Sequence, residues 1–159
     1  LKVGSAWELD TKMGPMIKPP SGDLETALKV LEPGEEWAVM PQPVEGNPCL
    51  WTPGVKYGVR PGSYTHVTEF FGPVLAVMTF RTPEEAVERA NNTPYGLSAG
   101  VWTDKGSKIF KIVNQLRAGV VWANTFNKFD PTSPFGGYKE SGFGREGGLQ
   151  GLAAYCRLD

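Results

Sequence analysis

Readily reactive side chains are scarce in this sequence. Its 159 residues include two cysteines, one histidine and a formal net charge of −1. Cys49 and Cys156 are too few for a disulfide framework, which points to a reducing compartment and a cytoplasmic protein. His66 stands alone, with no Cys or Asp at metal spacing, so no zinc site is expected and a satisfied surface or sheet histidine is. A nearly neutral chain offers no field to draw in nucleic acid or an anionic membrane. No apolar run approaches the roughly 20 residues that a bilayer span needs. No cationic start followed by an apolar stretch marks a secretory signal. Internal repeats and low-complexity tracts are also missing. What is plentiful is glycine, at 20 residues, and proline, at 14. Apolar residues make up 40% and charged residues 21%, as in an ordinary globular domain. The length suits a single domain. The first residue is Leu, and "LKVGSAWELD" reads like the middle of a longer chain.

The first part is rich in loops. Pro15, Pro19 and Pro20 exclude regular helix from "MGPMIKPP". A helix is expected from Ser21 to about Glu32, because Leu24, Ala27, Leu28 and Leu31 share a face and Ser21 or Asp23 can cap it. Pro33-Gly34 stops it. "EEWAVM" (35–40) reads as a short strand. Residues 41–63 read as a winding connection with an edge strand around Val55–Val59. From residue 74 the pattern becomes regular. "VLAVMTF" (74–80) is an apolar run of strand length. Residues 82–92 form a helix with Thr82 as N-cap, Pro83 at N1 and Glu85 completing a capping box. "LSAGVW" (97–102) is a strand, and 104–117 is a helix that Gly119 ends. "VVWAN" (120–124) is a third strand. The expected fold is α/β, a parallel βαβαβ sheet with flanking helices. Ligands bind beyond the carboxyl ends of such strands, which directs attention to the loops after Phe80, Trp102 and Asn124.

The last of those loops leads into "PFGGYKESGFGREGG" (134–148), with six glycines in fifteen positions. GFGREG fits the dinucleotide spacing G-x-G-x-x-G. That motif follows a buried strand and opens a helix, with an acidic residue about 20 positions on. Here Tyr138, Lys139, Glu140 and Ser141 make no such strand, and the chain ends too soon for a βαβ unit. A glycine-dense turn that lets backbone segments pass closely is the better reading on physical grounds.

The whole stretch says more than its part. "PFGGYKESGFGRE" closely resembles a C-terminal signature of the NAD(P)-dependent aldehyde dehydrogenase superfamily. "TEFFGPVLAVMTF" (68–80), "NNTPYGLSAGVWT" (91–103) and "RAGVVWANTF" (117–126) resemble three further family segments, in the right order. "WELDTKMGPMIKPPSGDLETALK" (7–29) resembles the glutamate γ-semialdehyde branch. The resemblance implies that residues 1–159 are a C-terminal portion of the catalytic domain. The cofactor domain and the segment bearing the nucleophile would lie outside it. It implies NAD or NADP as cofactor, a small-molecule aldehyde as substrate, and a homo-oligomeric full-length protein. The implied chemistry is thiolate attack on the carbonyl, hydride transfer to the nicotinamide and hydrolysis of a thioester.

By the same resemblance, Glu69 accepts hydrogen bonds from the nicotinamide ribose, and Phe71 packs beside the nicotinamide ring. A carboxylate suits a vicinal diol because it has two oxygens. Read without the family, Glu69 is a solvated residue at a strand entry and Phe71 a core residue under the Gly72-Pro73 turn. Phe129 and Phe135 match aromatics that line the aldehyde channel; the alternative is that both pin the loop to the sheet. Asn127, with Lys128, Asp130 and Ser133, is placed to tune substrate choice. Many glutamate-semialdehyde enzymes carry a small glycine- and serine-rich loop here instead, so the two halves of the chain point to different substrate branches. Neither Cys49 nor Cys156 sits in the family's Gly-Gln-x-Cys context, and its Glu-Leu-Gly-Gly context is missing. No catalytic residue is therefore assigned within this chain, which alone should be inactive, and Cys156 reads as a small buried hydrophobe. Two rivals remain: a naturally truncated homologue acting as a binding or assembly module, and a self-contained enzyme using Cys49 or Cys156.

Overall fold

The computed structural model describes residues 1–157. It divides into two compact units, Leu1–Thr79 and a second that begins at Phe80.

In the first unit, helix α1 (Asp23–Lys29) buries Leu24 and Ala27. It is shorter than the sequence suggests, and neither Ser21 nor Asp23 caps it. Gly22, at φ 57°, takes the N-cap position, and the Asp23 carboxylate instead accepts a 2.6 Å hydrogen bond from the Tyr64 hydroxyl. Strand β1 (Glu36–Val39) runs antiparallel to β2 (Gly54–Tyr57), and β3 (Val74–Ala76) runs parallel to β2. β2 is thus the central strand of this sheet, not an edge. The neighbouring prolines permit this because none lies within its four paired residues.

Lys56 on β2 is 1% exposed. Its Nζ donates to the Val30 carbonyl at 2.8 Å, where α1 ends, and lies 3.4 Å from Glu35 Oε2 and 5.0 Å from the Trp37 ring centroid. Helix α2 (Tyr64–Val67) is capped by the Ser63 hydroxyl, which accepts from the His66 N–H. Glu32 accepts from the Thr65 N–H at 3.0 Å, and this backbone bond holds its carboxyl below the ordinary value of 4.5. A lowered carboxyl pKa stabilises the fold above the unfolded value. That contribution is lost as the pH falls from about 4.5 through the folded value.

In the second unit, helix α3 (Pro83–Asn91) begins as the sequence predicts. The Thr82 hydroxyl accepts from the Glu85 N–H at 3.2 Å. The Glu85 carboxylate reaches one residue past the cap, to the Arg81 N–H at 2.7 Å. Strand β4 (Tyr95–Gly96) leads into β5 (Ser98–Val101). Helix α4 (Gly106–Val113) ends well before Gly119, with Asn114 as its C-cap. β6 (Val120–Ala123) pairs in parallel with β5, from Ser98↔Val120 to Val101↔Ala123. β7 (Tyr138–Lys139) pairs antiparallel with β4, and α5 (Gly148–Ala153) follows. A hollow of about 360 Å³ is lined by Val87, Ala90, Val101, Ile112 and Leu116, so part of the apolar face expected of α4 lines a gap instead of filling a core.

The fold class is α/β, as expected, but the strands are shared out differently. The run at 74–80 was expected to join 97–102 and 120–124 in one parallel sheet. Only three of its residues form a strand, and they pair with β2. An apolar run marks a strand without naming its partner. The parallel β5-α4-β6 unit is present as read.

Glycine is required where backbone lies on backbone. A Cβ on Gly119 would stand 1.7 Å from the Gly136 carbonyl oxygen, whereas one on Gly106 would meet nothing within 4 Å. Gly119→Ala should therefore cost about 3 kcal/mol or more of stability, as overpacking against rigid atoms does. Gly106→Ala should be neutral or stabilise by about 0.4–1 kcal/mol. Urea unfolding of the two variants checks this, and equal effects would remove the assigned contact.

Candidate functional site

In the first unit the candidate residues sit in the link between α2 and β3. Its anchors are local. The Tyr64 and Phe70 rings lie 5.8 Å apart. Leu24 of α1 packs so closely under Gly72 that a Cβ there would stand 2.5 Å from its methyl carbon. Between these anchors Phe71 adopts φ 52° and is 85% exposed. Left-handed backbone costs a residue with a side chain roughly 1–2 kcal/mol, and no burial of the ring offsets it. The core reading of Phe71 is therefore wrong: Leu24, not Phe71, fills the space beneath the turn. Glu69 is exposed as well. Glu69 and Phe71 border two hollows, one of about 440 Å³ with Thr65 and Val74, the other of about 640 Å³ with Ile17 and Lys18. The arrangement offers an anionic double acceptor beside an unpacked aromatic face.

In the second unit the candidates lie in the loop after β6. Asn124, at φ 54°, fixes the start of that loop. Its amide accepts from the Thr103 N–H at 2.9 Å and donates to the Thr103 carbonyl at 3.0 Å, tying together the ends of β5 and β6. The Trp122 indole, 8% exposed, donates to the Lys128 carbonyl at 2.8 Å. Rings then follow in contact. Trp122 meets Phe129 at 5.7 Å, and Phe129 meets Phe135 at 5.1 Å, both edge to face. Trp122 also meets Phe126 at 5.0 Å. Phe135 is half-buried and Phe129 is 59% exposed. They hold the loop on Trp122 and still present ring surface. Asn127 is exposed at φ 55°. The Asp130 carboxyl is held below its ordinary range by the Thr132 hydroxyl and then the Thr132 N–H. Asn124, Trp122 and Phe126 were not singled out from the sequence. The available signal was Asn124 itself, a polar residue at the carboxyl end of a parallel strand.

The glycine stretch behaves as a turn. Gly136 and Gly137 are buried, and a Cβ on Gly136 would stand 2.0 Å from the Gly144 carbonyl oxygen. No strand leads directly into GFGREG, and α5, which follows it, has six residues. Cys156 is exposed and Cys49 is half-buried, so the buried-hydrophobe reading of Cys156 fails among the described residues: it lies beyond α5, outside the packed part of the second unit. His66 lies on α2, and its Nδ1 accepts from the Gly62 N–H at 2.9 Å. Among the described residues no three His, Cys, Asp or Glu side chains gather as metal ligands, and no helix is long and apolar enough to cross a membrane.

Comparison with known proteins shows what the chain as a whole is similar to. The model of the aldehyde dehydrogenase family matches residues 1–159. A putative aldehyde dehydrogenase-like protein of Schizosaccharomyces pombe is 50% identical, over 99% of this chain and 32% of its own length. The structure of betaine aldehyde dehydrogenase from Staphylococcus aureus in complex with NAD+ superposes with a TM-score of 0.89 at 34% identity, covering 97% of this chain and 32% of that one. Proline Utilization A from Corynebacterium freiburgense gives a TM-score of 0.91 at 35% identity, over 97% of this chain and 16% of that one. The chain spans about a third of the length of the curated relatives it matches.

If the exposed Phe71 ring adds strain without packing, Phe71→Asn should raise stability by about 0.5–1 kcal/mol, since Asn tolerates left-handed backbone. Equilibrium urea unfolding measures it. A clear loss of stability would show that the ring is packed after all.

Proposed function

The chain belongs to the aldehyde dehydrogenase family, and on that premise we propose that it is a later portion of a catalytic domain that oxidises an aldehyde to a carboxylate with NAD or NADP. The observation that carries the reading is Glu69 beside Phe71. An exposed carboxylate and an exposed ring on strained backbone occupy the edge of the same hollows. Strain that no packing explains is characteristic of functional positions. The residues suit the cofactor: the two oxygens of Glu69 would take the hydroxyls of a ribose diol, and the face of Phe71 would lie against a flat ring. When bound, a nicotinamide dinucleotide supplies a hydride acceptor. Glu69 would orient the ribose, and Phe71 would keep the ring from tilting. Phe129 and Phe135 would line the approach of the aldehyde and exclude water. The sequence contains neither a Gly-Gln-x-Cys nor a Glu-Leu-Gly-Gly segment, so we assign the nucleophile and the general base to regions outside residues 1–159.

Two observations pull the substrate in different directions. Residues 7–29 resemble the glutamate-semialdehyde branch, which favours a carboxylate-bearing semialdehyde such as glutamate γ-semialdehyde. The ring chain from Trp122 to Phe135 favours an apolar aldehyde body. Competing the two substrate types against each other, with the protein expressed from its complete reading frame, separates them by kcat/KM.

Residues 1–159 alone should give no reduced nicotinamide above a blank with any aldehyde and either cofactor. Turnover that disappears when Cys49 or Cys156 is alkylated would overturn the assignment of the thiol elsewhere. In the complete protein, Glu69→Gln should slow hydride transfer by roughly ten- to a hundredfold, since misplacement of about 1 Å costs on the order of a hundredfold. The melting temperature should hardly move. Single-turnover nicotinamide absorbance, with and without deuterium on the aldehyde carbon, reads the step directly. Parental rate and parental cofactor affinity would leave Glu69 a solvated strand-entry residue.

A further inference from the structure

Arg145 stands in the middle of GFGREG, and the cofactor and substrate contacts proposed above do not use it. Its Nη1 donates to the carbonyls of Gly137 and Gly144 at 2.8 Å each and of Phe143 at 3.2 Å. Its guanidinium lies 5.2 Å from the centroid of the Tyr138 ring. All three bonds come from that one nitrogen, at the far end of a guanidinium whose weakly hydrated plane suits an aromatic face better than the compact ammonium of lysine does. The carbonyls belong to both arms of the glycine turn, so the side chain holds residues 136–138 against 143–145.

Next to the clamp the two arms are joined by a close backbone pair. The Phe135 N–H donates to the Glu146 carbonyl and the Glu146 N–H to the Phe135 carbonyl, each at 2.7 Å. One pair further out, the Gly148 N–H donates to the Pro131 carbonyl at 2.9 Å. Phe135 therefore takes its place from the arm that carries Arg145, and its ring in turn meets Phe129. The glycines sharpen the coupling. A Cβ on Gly136 would stand 2.7 Å from Arg145 Nη1, so the guanidinium fills the space that a side chain at 136 would take.

We propose that Arg145 is a positioning residue for the substrate channel: by clamping the glycine turn it fixes the backbone of Phe135 and so the placement of the Phe135 and Phe129 rings against the aldehyde. This rests on the assignment of those rings to the channel. Arg145 touches neither substrate nor cofactor. Its loss should therefore weaken aldehyde binding and leave cofactor binding and the chemical step nearly intact.

The test uses the protein expressed from its complete reading frame, labelled with 4-fluorophenylalanine. The Phe135 and Phe129 signals are assigned by their loss in Phe135→Leu and Phe129→Leu. Arg145→Lys keeps the charge and removes both the reach of Nη1 to the three carbonyls and the guanidinium over Tyr138. In this variant the Phe135 fluorine signal should move towards the solvent-exposed position or broaden. The aldehyde KM should rise about tenfold, within the on-the-order-of-a-hundredfold cost of about 1 Å of misplacement, with kcat within about twofold and cofactor Kd unchanged. Adding Phe135→Leu to Arg145→Lys should raise KM no further than the larger single effect, as two residues acting through one contact require. An unmoved Phe135 signal, or effects on KM that multiply, would overturn the proposal. If Arg145→Lys does not fold, Tyr138→Leu carries the test by removing only the ring beneath the guanidinium, and an unmoved Phe135 signal there overturns it equally. Should the unsubstituted protein oxidise no aldehyde, the channel assignment fails, while the fluorine signal still decides whether Arg145 places Phe135.

Discussion

Backbone lying directly on backbone, with no side chain between, is the constraint on which the second unit depends. Gly119 at the entry to β6 lies against the Gly136 carbonyl, and Gly136 lies against that of Gly144. The entry to β6 and the two arms of the glycine turn are stacked at a separation that no other residue type allows at Gly119 and Gly136. The pairing of β4 with β7 follows from this approach, since Gly96 is itself confined between the Arg117 carbonyl and Tyr138. Only with that stack in place does the loop from Asn124 to Phe135 have two fixed ends. One is tied to Thr103 and the other to Glu146. Of the glycines that resemble a phosphate cradle, Gly147 lies against the Ser133 carbonyl and Gly144 offers its carbonyl to Gly136, whereas a Cβ on Gly142 or Gly144 would meet nothing within 4 Å.

The first unit uses the opposite device. There the candidate residues are pushed outward by what packs beneath them. Leu24 occupies the space under Gly72, and Phe70 turns onto Tyr64. Phe71, between them, is left to solvent on backbone that favours glycine or asparagine. The two units thus present aromatic surface by different physical means: one by strain over a filled core, the other by a chain of rings leaning on a buried tryptophan.

Much of this was legible in the sequence, and what was not has a common cause. Helix α3 could be read because its signals are local: Thr82, Pro83 and Glu85 fall within four residues and each acts on the nearest turn. The β5-α4-β6 unit was legible for the same reason. The early end of α4 was not, because Asn114 gives little warning and Gly119, the apparent stop, serves a distant contact. The central place of β2 was hidden among prolines. The burial of Lys56 depends on Glu35, 21 positions away, which no local period reveals. At the candidate site, Glu69, Phe71, Phe129 and Phe135 were singled out by family resemblance; the solvated setting of Glu69 and the pinning of the loop by Phe129 and Phe135 were among the readings of the residues alone, and the exposure of Phe71 was not. Nothing in "TEFFGPV" says that Phe71 stands out and Leu24 fills in.

The Lys56–Glu35 pair also bears on how such a sequence drifts. Both side chains are 1% exposed, and Glu35 Oε1 has no hydrogen-bond partner. Changing either residue alone strands a buried charge at a cost of about 3–5 kcal/mol. That is a large part of the roughly 5–15 kcal/mol that holds a typical domain together. A matched apolar couple could replace both at little cost. The route between the two states passes through a valley that single steps cross poorly. Lineages should therefore carry the two positions as a linked haplotype, exchanging both or neither, and a natural sequence with only one changed should show compensation near Val30 or Trp37.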